Sequence, residues 1–319
     1  MNSRFATVVR IQLACALILG VMIVGPAHAE EYFKSYSVPG RANVQIQARW
    51  GSVRVTTAAS SQVGFHVTYD RRDWSPDPPI ESHQDGNLVA LRSRIDDRDH
   101  EPSGEGWWGW WHWWDRDNHR RLSIEVQMPK DADLQLQTTD GAVEVAAVNG
   151  NVFIRTTNGT IFAAYLSGAL DIVSTNGAIE LDSLKGTMRV RTTNGPISAS
   201  HLDGKSDLAT TNGGVRVEGR FDTLDIRSTN GGVVARAESG SRMTSSWRVQ
   251  TTNGHVDLAV PQDLKADLNV DTHNGRIRLD LPFATRVYDD GHSVHGSLNG
   301  GGPEIGLSTT NAGIHVSGI

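Results

Sequence analysis

Six of the nine tryptophans in this 319-residue chain fall within eight residues: Trp107, Trp108, Trp110, Trp111, Trp113 and Trp114, interrupted by Gly109 and His112. Asp96, Asp97, Asp99, Glu101 and Glu105 precede the run, and Asp115, Arg116 and Asp117 follow it. An indole joins a large apolar face to a single N–H donor, which suits stacking on a sugar, seating at a membrane interface or filling a pocket on a partner protein. Six exposed indoles would form a patch large enough to mark interaction. The competing use is structural: the run folds back and plugs an open end of the scaffold, covering an edge that would otherwise recruit strands. Charged, glycine-containing flanks place it on a loop in either case.

Other spacings that approach reactive sites lack a necessary member. Ala199 through Gly204-Lys205-Ser206 is close to a phosphate-binding loop, but the first glycine is missing. Asp97, Asp99 and Glu101 begin like a calcium loop, yet Pro102 stands where glycine is required and Trp108 where glutamate is. His292 with His295, or His112 with His119, could start a metal site, but neither pair has a third ligand at a workable spacing. No nucleophile-elbow serine occurs. The expectation is a non-enzyme with no catalytic residues, no cofactor and no metal.

Residues 1–29 have the three parts of a secretory signal: Arg4 and Arg10, an apolar run from Ile11 to Val24, and Ala27-His28-Ala29 as a cleavage site before Glu30. The run is shorter than the ~20 residues a spanning helix needs. Cys15, the only cysteine, lies inside this segment, so the mature chain has neither disulfide nor thiol chemistry. Export to the periplasm, the cell surface or the medium follows. Losing Arg4 and Arg10 takes the formal charge from −6 to −8. That balance, without a basic stripe, excludes nucleic acid as a partner.

The scaffold announces itself by a returning phrase, Thr-Thr-Asn-Gly. Asn or Asp followed by Gly occurs at Asp140, Asn158, Asn176, Asn194, Asn212 and Asn230, each 18 residues after the last, then at Asn253 and Asn274, and as Asn311-Ala312-Gly313. Three residues past each Asn or Asp stands a β-branched residue (Val143, Ile161, Ile179, Ile197, Val215, Val233, Val256, Ile277, Ile314), and a second small or apolar residue follows two further on. That alternation reads as a half-buried strand. A second strand precedes the next phrase, with Val152/Ile154, Leu170/Ile172, Met188/Val190 and Leu224/Ile226 pointing inward, and a Leu-x-Gly turn joins the two.

An Asn-Gly pair can also close a hairpin. Identity at every 18th residue favours parallel coils instead, because it stacks Ile on Ile, Asn on Asn and Gly on Gly. Asn158, Asn176, Asn194, Asn212 and Asn230 then read as a turn ladder, not as ligands. Asp171, Arg189 and Asp207 share one outward position and read as a solvated face of alternating charge. The predicted fold is an all-β parallel solenoid, a β-helix of ~18-residue coils, right-handed by the usual rule for parallel crossovers.

The predicted organisation is a signal peptide over 1–29, a looser β-strand region over 30–130 carrying the tryptophan-rich insert (95–120), and the regular repeat over 131–319. In the looser region Val44, Ile46 and Ala48 lead into Trp50-Gly51, Val53 and Val55, which is the repeat with Trp in place of Asn. The stretch 70–86 reads as a loop, 238–246 as a side loop, and 282–305 as a degenerate coil.

Three features resemble the bacterial putative-adhesin family: the strand Ile124–Pro129 running through Leu134 and Leu136 to Asp140-Gly141, the Thr-Asn-Gly series, and Leu258-Ala259-Val260-Pro261 running on to Asn274-Gly275. The likeness covers roughly 40–319. It implies a secreted β-strand-repeat domain of unassigned function and supplies no catalytic residues. The tryptophan insert departs from the pattern. The functional expectation is a surface or envelope interaction module whose partner is a glycan, a membrane surface or an envelope protein. One alternative is a self-assembling envelope scaffold that associates end to end through the apolar C-terminal strand Gly313–Ile319. Another is a carbohydrate-active β-helix enzyme, disfavoured because the outward charges are mixed in sign and scattered.

Overall fold

The computed structural model describes residues 29–70, 80–93, 122–281 and 284–319. These residues are all-β, and most strands pair in parallel across successive coils. Each coil gives one strand to each of two ladders. Register is kept by whole repeats: Val152 pairs with Leu170, Leu170 with Met188, Ile161 with Ile179 and Ile179 with Ile197.

The inward column Ile46, Leu136, Ile154, Ile172, Val190, Leu208, Ile226 and Val249 is buried throughout, and so is Val53, Val143, Ile161, Ile179, Ile197, Val215, Val233 and Val256 on the facing ladder. A strand's side chains alternate between its faces, so one register turns every such column toward the same interior. Each coil alone could not bury its apolar side; the stack does it jointly.

The middle of the chain stacks in sequence order, but the ends do not. At one end, strand Ala42–Trp50 lies between Leu88–Ser93 and Ala132–Asp140, parallel to both. Its companion Ser52–Ala58 lies between Leu122–Pro129 and Val143–Ala146. The N-terminal coil is thus the second of the stack. Antiparallel strands close this end: Ile80–Asp85 on Leu88–Ser93, then Gln62–Asp70 on Leu122–Pro129 and Ala29–Ser37 on Gln62–Asp70.

The other end repeats the device. Strands Glu304–Thr309 and Ile314–Gly318 insert between Trp247–Gln250/Val256–Val260 on one side and Ala266–Thr272/Ile277–Asp280 on the other. A hairpin of Ala284–Asp289 and Ser293–Leu298 then pairs antiparallel with Ala266–Thr272.

Three expectations change as a result. Residues 80–85 form a strand, not part of a loop, because Ile80 can reach the core. The 282–305 stretch is not a degenerate coil: 284–298 is a hairpin that covers the end. The C-terminal strand is not an uncapped end, since both of its edges are paired, so end-to-end association through it has no basis. Its 37-residue separation from Asn274 reflects the hairpin that intervenes before the chain turns back into the stack.

Candidate functional site

From Ala132 onward every coil turns at the repeated phrase, and there the asparagines form a continuous chain. Asn158 Nδ2 donates to Asp140 Oδ1, Asn176 to Asn158, Asn194 to Asn176, Asn212 to Asn194 and Asn230 to Asn212, at 2.5–2.7 Å. The chain goes on through Asn253, Asn311 and Asn274 in the spatial order of the coils, not the sequence order. Both the amide and the carbonyl of an internal member are engaged, which leaves little for a ligand. The following glycine is a steric requirement: a Cβ on Gly177 would lie 1.8 Å from the carbonyl oxygen of Gly159.

The first residue of the phrase has a role that the sequence reading missed. It is buried and always carries a hydroxyl, as in Thr192, Thr210, Ser228 and Thr251. Thr210 Oγ1 accepts from the N–H of Gly213 and donates to the carbonyl of Gly195 one coil back; Ser228 and Thr251 repeat the pattern. One hydroxyl thereby satisfies a turn donor and a neighbouring acceptor that are both out of water. The signal was present, because only Thr or Ser occupies that position in nine copies from Thr138 to Thr309.

The insert enters the fold at this same corner. Ser93 stands at the hydroxyl position of the end coil, where its Oγ accepts from the Arg49 N–H. Leu122 stands opposite Gly51, whose Cβ, if present, would collide with the Leu122 carbonyl. Residues 94–121 therefore replace the two residues, Arg49-Trp50 or Thr139-Asp140, that bridge the corner in adjacent coils. Trp107, Trp108, Trp110, Trp111, Trp113 and Trp114 lie outside the described residues, as do His112, His119, the acidic flank from Asp96 to Glu105, and residues 1–28 of the expected signal.

A second feature runs along the outer face of the ladder that holds Ala132–Asp140. Register sets Gln135, Phe153, Asp171, Arg189, Asp207 and Asp225 in one column, one per coil. Beside it, small Ala169 and Thr187 leave a depression, and a groove of about 540 Å³ extends from Asn43 to Asp207. This face is less solvated than the sequence implies. Arg191 reaches Asp207 at 2.8 Å and Arg189 at 3.6 Å, while Arg227 pairs with Asp225. Burial pushes the Asp225 carboxyl up; Arg227 opposes the shift and Asp207, one rung away, adds to it. At the groove's edge the Arg41 guanidinium holds Asp133 below the usual carboxylate range. Asp171, Asp207 and Asp225 each keep one carboxylate oxygen out of solvent and without a hydrogen-bond partner among the described residues.

The remaining spacings separate. Gly204, Lys205 and Ser206 lie within strand Ile197–Thr210, with Ser206 buried. His295 bonds Ser293 Oγ and stacks on Tyr288, and the bonds at His292 are backbone ones, its N–H donating to Asp290 and its carbonyl accepting from the Thr272 N–H. Among the described residues no three metal-capable side chains converge.

The family model described as Toastrack DUF4097 matches residues 43–317. Among solved structures, the chain is similar to a putative adhesin from Bacteroides fragilis, at 10% identity over 91% of this chain and 97% of that one, TM-score 0.37. It is also similar to a putative cell adhesion protein from Clostridium sporogenes, at 9% identity over 91% and 100%, TM-score 0.26. A putative lipid binding protein from Parabacteroides distasonis matches at 11% identity over 92% and 98%, TM-score 0.29. No curated protein matches the chain.

Proposed function

This chain belongs to the Toastrack DUF4097 family, and from that premise we propose that it is an exported, non-catalytic interaction module of the cell envelope or surface. A rigid right-handed stack of coils carries the tryptophan-rich insert at one end. The observation that carries this reading is the anchoring of the insert: both flanks, Ser93 and Leu122, are buried residues at ends of paired strands in the terminal coil. A long insert on such a base holds its indoles toward a glycan, membrane surface or envelope protein at little cost to the core. Asn158, Asn176, Asn194, Asn212 and Asn230 serve the fold. Export fits the strand order, since cleavage after Ala29 leaves the first strand, Ala29–Ser37, almost whole.

The test replaces all six insert tryptophans with Ser and compares thermal stability with binding to cells, envelope fractions and liposomes. Display predicts an unchanged melting temperature and lost binding. A collapsed melting temperature supports the plug, and unchanged binding to every fraction removes display.

A second reading, a self-assembling scaffold, now rests on the end strand Ile277–Asp280. It pairs on one edge only among the described residues, and its Ile277 and Leu279 are half-buried. Arg278 and Asp280 at the same edge oppose association, as charges on edge strands do. Light scattering that rises with concentration would favour this reading.

A further inference from the structure

The groove on the outer face of the ladder that holds Ala132–Asp140 runs from the second coil into the middle of the stack, and none of its lining residues belongs to the insert. We propose that it is a binding site for a neutral, hydroxyl-rich polysaccharide laid along the axis of the stack.

Its shape is the first ground. The groove crosses six strands, from Ala42–Trp50 to Ile197–Thr210, which at a strand spacing of ~4.8 Å is on the order of 24 Å. It is an open channel, suited to an extended polymer more than to a compact metabolite. Because the coils are in register, polar groups recur at a fixed rise, so a ligand with its own repeat can meet them in succession.

Chemistry narrows the class. Gln135, Asn151, Asp171 and Arg189 present planar groups able to make paired hydrogen bonds, the geometry that adjacent hydroxyls satisfy. Phe153, half-buried in the same column, has the Arg155 guanidinium over its ring at 5.5 Å and offers its opposite face to the C–H side of a sugar. Asp171, half-buried, has no ion pair or side-chain hydrogen bond among the described residues, and its carboxylate can only accept, so it calls for donors from the groove. Hydroxyl groups supply them.

Charge argues against ionic polymers. Arg41 balances Asp133, and Arg189 and Arg191 balance Asp207 together with Asp171 one rung from Arg189, so no strong field of either sign remains. A peptide is disfavoured for a different reason. Peptides that add to sheets bind at a free edge through main-chain hydrogen bonds, whereas these strands are paired on both edges.

The experiment is affinity electrophoresis of the full mature chain in gels containing a neutral β-glucan, a xylan, a glucomannan or starch, with polygalacturonate as the acidic control. Retardation by at least one neutral polymer is expected. Asp171→Ala and Phe153→Ala should each weaken it about tenfold or more, the size expected for one hydrogen bond to a charged group or one stacked ring. Ala169→Trp fills the depression from an exposed strand position without removing any contact, and should abolish retardation while circular dichroism stays native. No retardation by any neutral polymer overturns the proposal, as does retardation by polygalacturonate alone. If these three variants change nothing and the six-Trp→Ser chain loses retardation, the binding belongs to the insert and the groove proposal falls while the display reading stands.

Discussion

Between Asp140 and Asn253 the chain stacks in the order it is written, whereas at both ends it folds back and buries a terminal coil as the second of the stack. The middle is specified by repetition, since each coil sees a copy of itself above and below. The ends have no copy on one side, so they are closed by antiparallel strands and a hairpin that share none of the phrase. An open parallel stack would present unpaired backbone to any passing strand; both terminations replace it with short or charged edges. Regularity thus supplies rigidity, and the departures supply closure and, at one end, the insert.

The largest expected contrast lies in the glycines. A Cβ at Gly195 would sit 1.9 Å from the Gly177 carbonyl, whereas one at Gly64, in a closing strand, would meet nothing within 4 Å. Gly195→Ala should destabilise by about 4 kcal/mol or prevent folding, since a backbone must shift. Gly64→Ala should be neutral or slightly stabilising, because Ala has less conformational freedom to lose. Urea melts of the pair would test this, and equal losses would mean the middle is no tighter than the end.

Next come the buried hydroxyls. Thr210→Val strands the Gly213 N–H and the Gly195 carbonyl and should cost about 1–3 kcal/mol. At the first regular coil Thr138 Oγ1 has no partner among the described residues, so Thr138→Val should cost nothing or stabilise. The same melts read both, and a costly Thr138→Val would show a bond absent from this account.

The smallest effect is electrostatic. His201 and Asp182 pair at 2.8 Å on the middle coils. The Asp182 hydrogen bond raises the His201 pKa. Burial alone would raise Asp182, but bonds from His201, Ser200 and Ser183 outweigh it and hold its carboxyl low. The histidine contribution is therefore whole below its ordinary value near 6.5 and fades as pH rises through the raised one. The aspartate contribution is whole above 3.8 and fades as pH falls through the lowered one. His201 is largely exposed, so His201→Ala should remove well under about 1 kcal/mol, most of it between these limits. A loss that persists unchanged at pH 9 would assign it to packing instead.

Legibility followed the same division. Ile179 and Leu181 were readable as core because identity at every 18th residue favours like stacked on like over hairpins, and the parallel register bears that out. Ala42–Trp50 was readable as a coil, but not its place, since its partners Leu88–Ser93 and Ala132–Asp140 lie far along the chain and carry no local mark. The Asn311 spacing hid its insertion for the same reason. Asp171, Arg189 and Asp207 were legible as one column; the depression at Ala169 and Thr187, and the loss of solvent at the inner oxygens, depend on which side chains stand beside that column and are invisible to its spacing alone. Ala147, Tyr165, Ser183 and His201 turn the opposite corner at positive φ, 18 residues apart, with four unrelated side chains and so no sequence signal.

The claim on which the rest depends is that Leu88–Ser93 and Leu122–Pro129, which flank the insert, form the outer coil with Ala42–Ala58 inside it. Cys15 is the chain's only cysteine and lies outside the described residues, so engineered pairs within the stack report neighbours directly. Gln47 is in register with both Arg92 and Gln137, one strand spacing of ~4.8 Å from each and within disulfide reach. Arg92 and Gln137 are two spacings apart, on the order of 9.6 Å and out of reach. Mild oxidation should therefore close Gln47→Cys/Arg92→Cys and Gln47→Cys/Gln137→Cys and leave Arg92→Cys/Gln137→Cys open. Closure of Arg92→Cys/Gln137→Cys with Gln47→Cys/Gln137→Cys open would mean that the coils stack in chain order, and would contradict the account.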